Sequence, residues 1–230
     1  MIWQTETVRT RDGHQLDLSL YLPENGGTGK VLVIGPGAGT EQAVYLAFAK
    51  WCAGQGLAVV CFRYRGAGEG YARHTRATLR QWANQDLDAV LLFAHNRFPH
   101  CELVFLGHCI SGEIAGIAPA SEYIDRMVLV SSALSCWRLW PRRSQPFIWL
   151  MKLLAPLISA WYGYFPGTRL KFLGDMPSNV VREFSDWCNQ PNGLFDVFPD
   201  NNYRKLRIPL LAITFSDDWF TTPRAEAALL

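Results

Sequence analysis

The stretch that leaves this chain least freedom is Leu103-Val-Phe-Leu-Gly-His-Cys-Ile-Ser-Gly-Glu113. Leu103 to Leu106 is a four-residue apolar run, which reads as a buried strand. Gly107 breaks it, and the small residues from Ser111 to Ala118 predict the start of a helix. A strand that turns sharply into a helix lifts one side chain to the tip of the bend, here Cys109. Its neighbours must be small, because the helix folds straight back onto the strand. Free cysteine is also among the most often buried residue types, so Cys109 filling a core is the competing reading.

The spacing is that of a nucleophile elbow, Gly-x-Ser-x-Gly, with Cys109 at the serine position and Ser111 at the second glycine. The frame Gly107-His108-Cys109-Ile110-Ser111-Gly112 resembles the elbow of α/β-hydrolases, many of which read Gly-His-Ser-x-Gly-Gly. A cysteine in that frame is similar to dienelactone hydrolases, whose triad is Cys, Asp and His. Ser111 ranks behind as nucleophile, since Cys109 and Glu113 stand where its own frame needs glycine.

The rest of the chain supplies strands alternating with helices. Residues 2–8 and 15–22 predict a hairpin around Arg11-Asp12-Gly13. Val31–Ile34 and Leu57–Phe62 are continuous apolar runs, as strands buried on both faces require. Between them Val44, Ala47, Phe48, Trp51 and Cys52 fall at helical spacing, and Gly54 and Gly56 end the helix. Thr78 and Gln81 make a capping box, opening a helix whose apolar face is Leu79, Trp82, Ala83, Leu87, Val90, Leu91 and Ala94. Met127–Val130 and Pro209–Phe215 complete the strands, and Thr222-Pro223 starts a last helix. Such alternation predicts an α/β class fold, a mostly parallel sheet with helices on both faces. Arg63, Arg65, Arg73, Arg76 and Arg80 are expected to form a solvated face, the minority reading being an anion site. Arg63-Tyr-Arg-Gly-Ala-Gly-Glu-Gly70 also resembles an Asp-Tyr-Arg-Gly-x-Gly-x-Ser segment of α/β-hydrolases.

Residues 134–190 break the rhythm, with five of the nine tryptophans and Pro141, Pro146, Pro156 and Pro166. The prolines predict several short helices. Gly163-Tyr-Phe-Pro-Gly167, Leu173-Gly-Asp-Met-Pro177 and Asp186-Trp-Cys188 resemble the lid of a group of uncharacterised α/β-hydrolases, a likeness that runs over nearly the whole chain. The expected domains are therefore a core over 1–133, a helical lid insertion over 134–190, and a return to the core over 191–230. The aromatics either fill a small lid core or line an apolar acyl pocket, with Trp137, Trp140 and Tyr164 as its candidates. Phe147–Ala160 is too short, and too interrupted by Lys152 and Pro156, for a bilayer span.

The resemblance implies acyl transfer on Cys109. The backbone amides of Ile110 and of Ala38, in the loop Gly35-Pro-Gly-Ala-Gly39, would hold the oxyanion. The acid is expected just past the strand at 209–215, as Asp218 with Asp217 in reserve, unless the pair only caps the strand end. The fold's histidine should follow. His14, His74, His95, His100 and His108 all precede the acid, and the chain ends twelve residues after it, within a predicted helix whose apolar face lacks a partner. A C-terminally truncated form, short of a strand and a helix, is the favoured expectation; loss of the base is the other.

Composition narrows the rest. Six scattered cysteines without a Cys-x-x-Cys pair suit reduced thiols, and no cofactor or metal site is expected. A net charge of +2 argues neither for nor against an anionic partner, and no nucleic-acid motif is present. The start lacks a signal peptide's pattern, so a cytoplasmic protein acting on a small acyl substrate is expected, with no stable membrane insertion and an undefined oligomeric state. Three functions compete: hydrolysis of a carboxylic ester, thioester or lactone; a catalytically inactive binding protein on the same scaffold; and membrane association through the tryptophan-rich segment.

Overall fold

The structure, a computed structural model, describes residues 1–230 except Asn25, Glu69 and Trp219, together with the side chain of His74. The surface role expected of His74 therefore lies outside the described residues.

Strands β1 (Ile2–Arg9) and β2 (Gln15–Leu22) form the hairpin, in full register from Ile2 opposite Leu22 to Arg9 opposite Gln15. β2 then pairs antiparallel with β4 (Ala58–Phe62). From there the sheet is parallel, through β3 (Lys30–Gly35), β5 (Glu102–His108), β6 (Arg126–Val130) and β9 (Leu210–Ile213), in the order β1-β2-β4-β3-β5-β6-β9. β3 from Val31 onward and all of β4 are buried, the consequence of helices lying on both faces. This is the α/β-hydrolase fold that the elbow's likeness implied.

The structure departs from expectation in several places. The helix between β3 and β4 opens with a 3₁₀ turn, Gln42–Tyr45, and becomes α1 only over Leu46–Gly54. It buries Ala49, Cys52 and Ala53, leaving Phe48 and Trp51 exposed and stacked on each other. Small side chains let the helix lie close to the sheet, so the bulky positions of the expected face turn outward. The capping box at Thr78 and Gln81 is formed, and α2 (Leu79–Gln81) passes through a π-helical stretch, Trp82–Leu87, into α3 (Asp88–Arg97). The expected apolar face of that run is buried throughout.

Arg65 is the second departure. It is buried, not solvated, with its guanidinium on Asp86 at 2.6 Å and on Asp12 at 2.5 Å. Its carbonyl accepts the Trp82 indole N–H at 2.9 Å. The loop after β4 is thereby tied to the hairpin turn and to the π-helical stretch. Arg73 and Arg80 are likewise engaged, over the rings of Tyr164 and Phe198.

After β5, α4 (Ile110–Ile114) runs back along the strand. Residues 134–190 hold α5 (Gln145–Tyr162), the paired strands β7 (Tyr164–Phe165) and β8 (Met176–Pro177), α6 (Gly167–Leu170) and α7 (Ser178–Asn189). Here the prolines do not cut the chain as expected. Pro146 sits in the first turn of α5, where its missing N–H is not needed, and Pro156 lies within a helix of 18 residues. α5 packs along α7, and that packing outweighs one lost backbone bond. Among the described residues no helix is long and apolar enough to cross a membrane.

The short α8 (Leu194–Val197) leads to β9, and α9 (Pro223–Leu229) ends the described chain, with Thr222 as its N-cap. The apolar face of α9 does have a partner. Ala225 and Leu229 are buried, and the Ala225 carbonyl accepts the Leu134 N–H at 2.9 Å.

Candidate active site

The elbow is built from close approaches. Cys109 sits between β5 and α4 at φ 53°, ψ −118°, a conformation that L-residues rarely adopt and that only a well-braced site sustains. A Cβ on Gly107 would stand 2.6 Å from the Gly112 Cα, and one on Gly112 would stand 2.2 Å from the Ser132 Oγ. Strand, helix and the turn after β6 therefore meet at glycine positions only.

Ser111 is not available as a nucleophile. Its hydroxyl is fully buried, donates to the Pro36 carbonyl at 2.5 Å and shares a 2.8 Å hydrogen bond with the Tyr64 hydroxyl. The side chain that replaces the motif's second glycine thus pins the loop after β3 to α4. A second bond holds the same loop: the Gly37 N–H donates to the Tyr45 hydroxyl at 2.8 Å, and that oxygen lies 2.7 Å from His108 Nδ1. Neither link is legible in a motif, since Ser111 lies 75 positions from Pro36 and Tyr45 63 positions from His108.

Held this way, the loop directs the Ala38 N–H at the Cys109 sulfur, where the Ile110 N–H also points. Both amides favour the thiolate, but burial dominates. Burial, together with the Glu113 and Asp218 carboxylates, pushes the thiol up to about 11. Asp218 is half-buried beside the site and Asp217 is exposed outside it. The Asp218 Oδ1 accepts the N–H groups of Phe220 at 2.8 Å and Thr221 at 2.9 Å, so the carboxylate caps its own turn while facing the thiol.

Cys109 opens onto a cavity of about 360 Å³ whose wall is mainly apolar. Ile148, Met151, Ala155, Val180, Val181 and Phe184 roof it from α5 and α7. Of the three aromatic candidates, Trp140 lines this wall, its indole donating to the Phe220 carbonyl at 2.6 Å. Trp137 and Tyr164 are not among its lining residues. Tyr164 is buried at the β7–β8 pair, where its hydroxyl accepts from Arg73 at 2.7 Å. Arg73 claims that ring, a contact across 91 positions that the sequence did not signal.

Glu113, which the motif marks only as a departure from glycine in the Ser111 frame, lines the cavity. It is buried and accepts the Ser135 N–H at 2.7 Å and the Ser135 hydroxyl at 2.6 Å. Burial pushes its carboxyl up to about 7 against those two bonds. Among the described residues His108 is the histidine at the cavity wall, and burial lowers it while Asp218 acts the other way. Among them, too, no cluster could hold a metal ion, and all six cysteines are free.

A family model described as serine aminopeptidase, S33, matches residues 27–183. The chain belongs to that family. Where the family's description says serine, this member carries Cys109 at the elbow. No curated protein matches. Several solved structures share the S33 member's fold. One is DcsB in complex with a substrate analogue, at 15% identity and TM-score 0.67 over 99% of this chain and 85% of that one. Another is the esterase domain of a Rhodothermus marinus protein, at 17% and 0.60 over 100% and 82%. A third is brefeldin A esterase, a bacterial homologue of human hormone sensitive lipase, at 16% and 0.63 over 99% and 63%. At these identities the likeness is one of fold.

Proposed function

We propose that this S33-family chain is an acyl hydrolase, cleaving a carboxylic ester, thioester or lactone through a covalent intermediate on Cys109. The Cys109 sulfur attacks the substrate carbonyl, and the oxyanion that forms takes the amides of Ala38 and Ile110. Collapse breaks the bond to the alcohol or thiol, which takes up the proton Cys109 gave up on attack and, for a lactone, stays tethered to the acyl group. The thioester left on Cys109 is then hydrolysed by water to the acid and the free thiol. Segment 134–190 is its lid, Asp218 the acid that faces the thiol, and Trp140 part of the acyl wall. The apolar cavity suits an aliphatic or aromatic acyl group.

One observation carries this reading: two backbone amides converge on a sulfur at the tip of a strained turn that opens into an apolar cavity. The esterases among the structural neighbours accord with it. Intact-mass analysis after exposure to a p-nitrophenyl acyl ester tests it. One acyl group on Cys109, absent from Cys109→Ala, is expected; acylation at other cysteines with Cys109 unmodified overturns it.

A thiol pushed up to about 11, beside a histidine engaged by Tyr45, supports a second reading, an inactive scaffold that binds the acyl compound in the same cavity. Saturable binding of a non-hydrolysable analogue without any acylation distinguishes it.

A further inference from the structure

Helix α5 carries apolar side chains on the side away from the cavity as well as toward it. Ile148, Met151 and Ala155 face inward and line the wall. Trp149, Leu153, Leu157 and Trp161 follow one another at four-residue spacing on the other side, with Leu150 and Leu154 beside them. All six are exposed, Leu157 at 60% and Trp161 at 87%. A contiguous apolar stripe of this kind marks an interaction surface.

The charges on the stripe's own segment share one sign. Between Asp125 and Asp175 the sequence holds no Asp or Glu, while Arg126, Arg138, Arg142, Arg143, Lys152, Arg169 and Lys171 fall in that interval. Arg142 and Arg143 are exposed just before α5, and Arg169 and Lys171 are exposed beyond its other end, with Arg169 5.9 Å from the centre of the Tyr162 ring. Asp186 of α7 lines a groove beside Leu153 and Leu157, in the company of Arg182 and Lys152. Both ends of the stripe are thus bracketed by cations.

We propose that this face docks on an anionic lipid surface, with α5 lying in the plane of the interface. A helix of 18 residues, about 27 Å long, then lowers its outer stripe into the acyl boundary. Trp149 and Trp161 take the headgroup level, and the flanking arginines and lysines meet lipid phosphates. An apolar stripe with basic ends and no acidic residue of its own complements such a surface in both polarity and charge. Phe172 and Leu173 line the cavity and are themselves exposed. If the hydrolase reading holds, the docked protein has an apolar entrance for amphiphiles; docking itself involves no chemistry at Cys109.

Vesicle flotation tests this with the chain as it is. Phosphatidylcholine vesicles containing phosphatidylglycerol should carry the protein up, with partitioning at least tenfold lower on phosphatidylcholine alone and in high salt. The double variant Leu157→Asp/Trp161→Asp should lose at least tenfold while keeping its circular dichroism and melting temperature, because both side chains already lie in water. No flotation on the anionic vesicles overturns the proposal, as does flotation equal on neutral vesicles or unchanged in the double variant. Concentration-dependent dimerisation that this variant abolishes, with no vesicle binding, assigns the stripe to a second copy and also overturns it. An active esterase that fails to float refutes docking alone, and a floating protein that is never acylated refutes hydrolysis alone.

Discussion

Gly39, in the loop after β3, and Gly174, between α6 and β8, lie backbone against backbone: a Cβ on Gly174 would stand 1.7 Å from the Gly39 carbonyl oxygen. Next to Gly39 is Ala38, whose N–H reaches the Cys109 sulfur. Next to Gly174 is Asp175, whose carboxylate accepts the Thr168 N–H and whose carbonyl accepts the Gly68 N–H. The roof over the cavity thus rests on the loop that supplies one of the two amides.

Gly174→Ala should therefore push that loop without unfolding the sheet. The expected result is a fall in kcat of about tenfold to a hundredfold, short of the roughly hundredfold to thousandfold lost when an oxyanion donor is removed outright. Steady-state ester hydrolysis with a matched melting curve checks it; unchanged kcat would show that the contact does not position Ala38.

Cys109 stores strain that glycine would release. Cys109→Gly and Cys109→Ala both remove the sulfur, but only the glycine is at ease at φ 53°. The glycine variant should be the more stable of the two by about 1 kcal/mol, read from urea unfolding, and neither should be acylated.

Alkylation of Cys109 by iodoacetamide should climb about tenfold per pH unit above neutrality and level off only near the thiol's own value of about 11. A negative charge nearby disfavours the thiolate, so Asp218→Asn should lower that midpoint and speed alkylation at pH 8. A midpoint that rises in this variant, or a flat profile, would contradict the arrangement.

Glu113 makes stability depend on pH in a defined direction. Its folded-state value, about 7, lies above the ordinary 4.5, so folding favours the protonated carboxyl. Its contribution is full below 4.5 and is lost as pH rises through 7. Glu113→Gln should flatten the decline between those limits, by up to ~3 kcal/mol, as thermal melts across the range would show.

Removing Arg65 leaves the buried Asp86 carboxylate without its ion-pair partner, whereas Arg65 without Asp86 would keep Asp12. Arg65→Ala should cost about 3–5 kcal/mol in denaturant unfolding, whereas Thr5→Ala, on the outward side of β1, should be nearly neutral.

Much of the scaffold was legible because its signals are local. Val31–Ile34 and Leu57–Phe62 are apolar without interruption, which a parallel strand covered on both sides requires. The elbow showed itself through the glycines on either side of Cys109, since any larger residue at 107 or 112 would collide with the opposing backbone or with Ser132. Thr78 with Gln81, and Thr222 with Pro223, marked helix starts that do form.

What escaped was decided by partners far along the chain. Nothing near Arg65 announces Asp12 and Asp86, 53 and 21 positions away, so an arginine-rich stretch read as solvated. Ser111 looked like a mere departure from a motif until Pro36, 75 positions upstream, gave it an acceptor. Trp137, Trp140 and Tyr164 are alike in sequence, and only the packing of α5 and α7 and the claim of Arg73 on Tyr164 place one at the cavity and two away from it.

The sequence by itself determined the parallel sheet, its strand positions and the residue at the tip of the bend, because periodicity, glycine spacing and caps act over a few residues. Tertiary structure alone decided which amides meet the sulfur, which carboxylates crowd it, and which side of α5 stays in water, because those depend on surfaces that touch only after the chain has closed on itself.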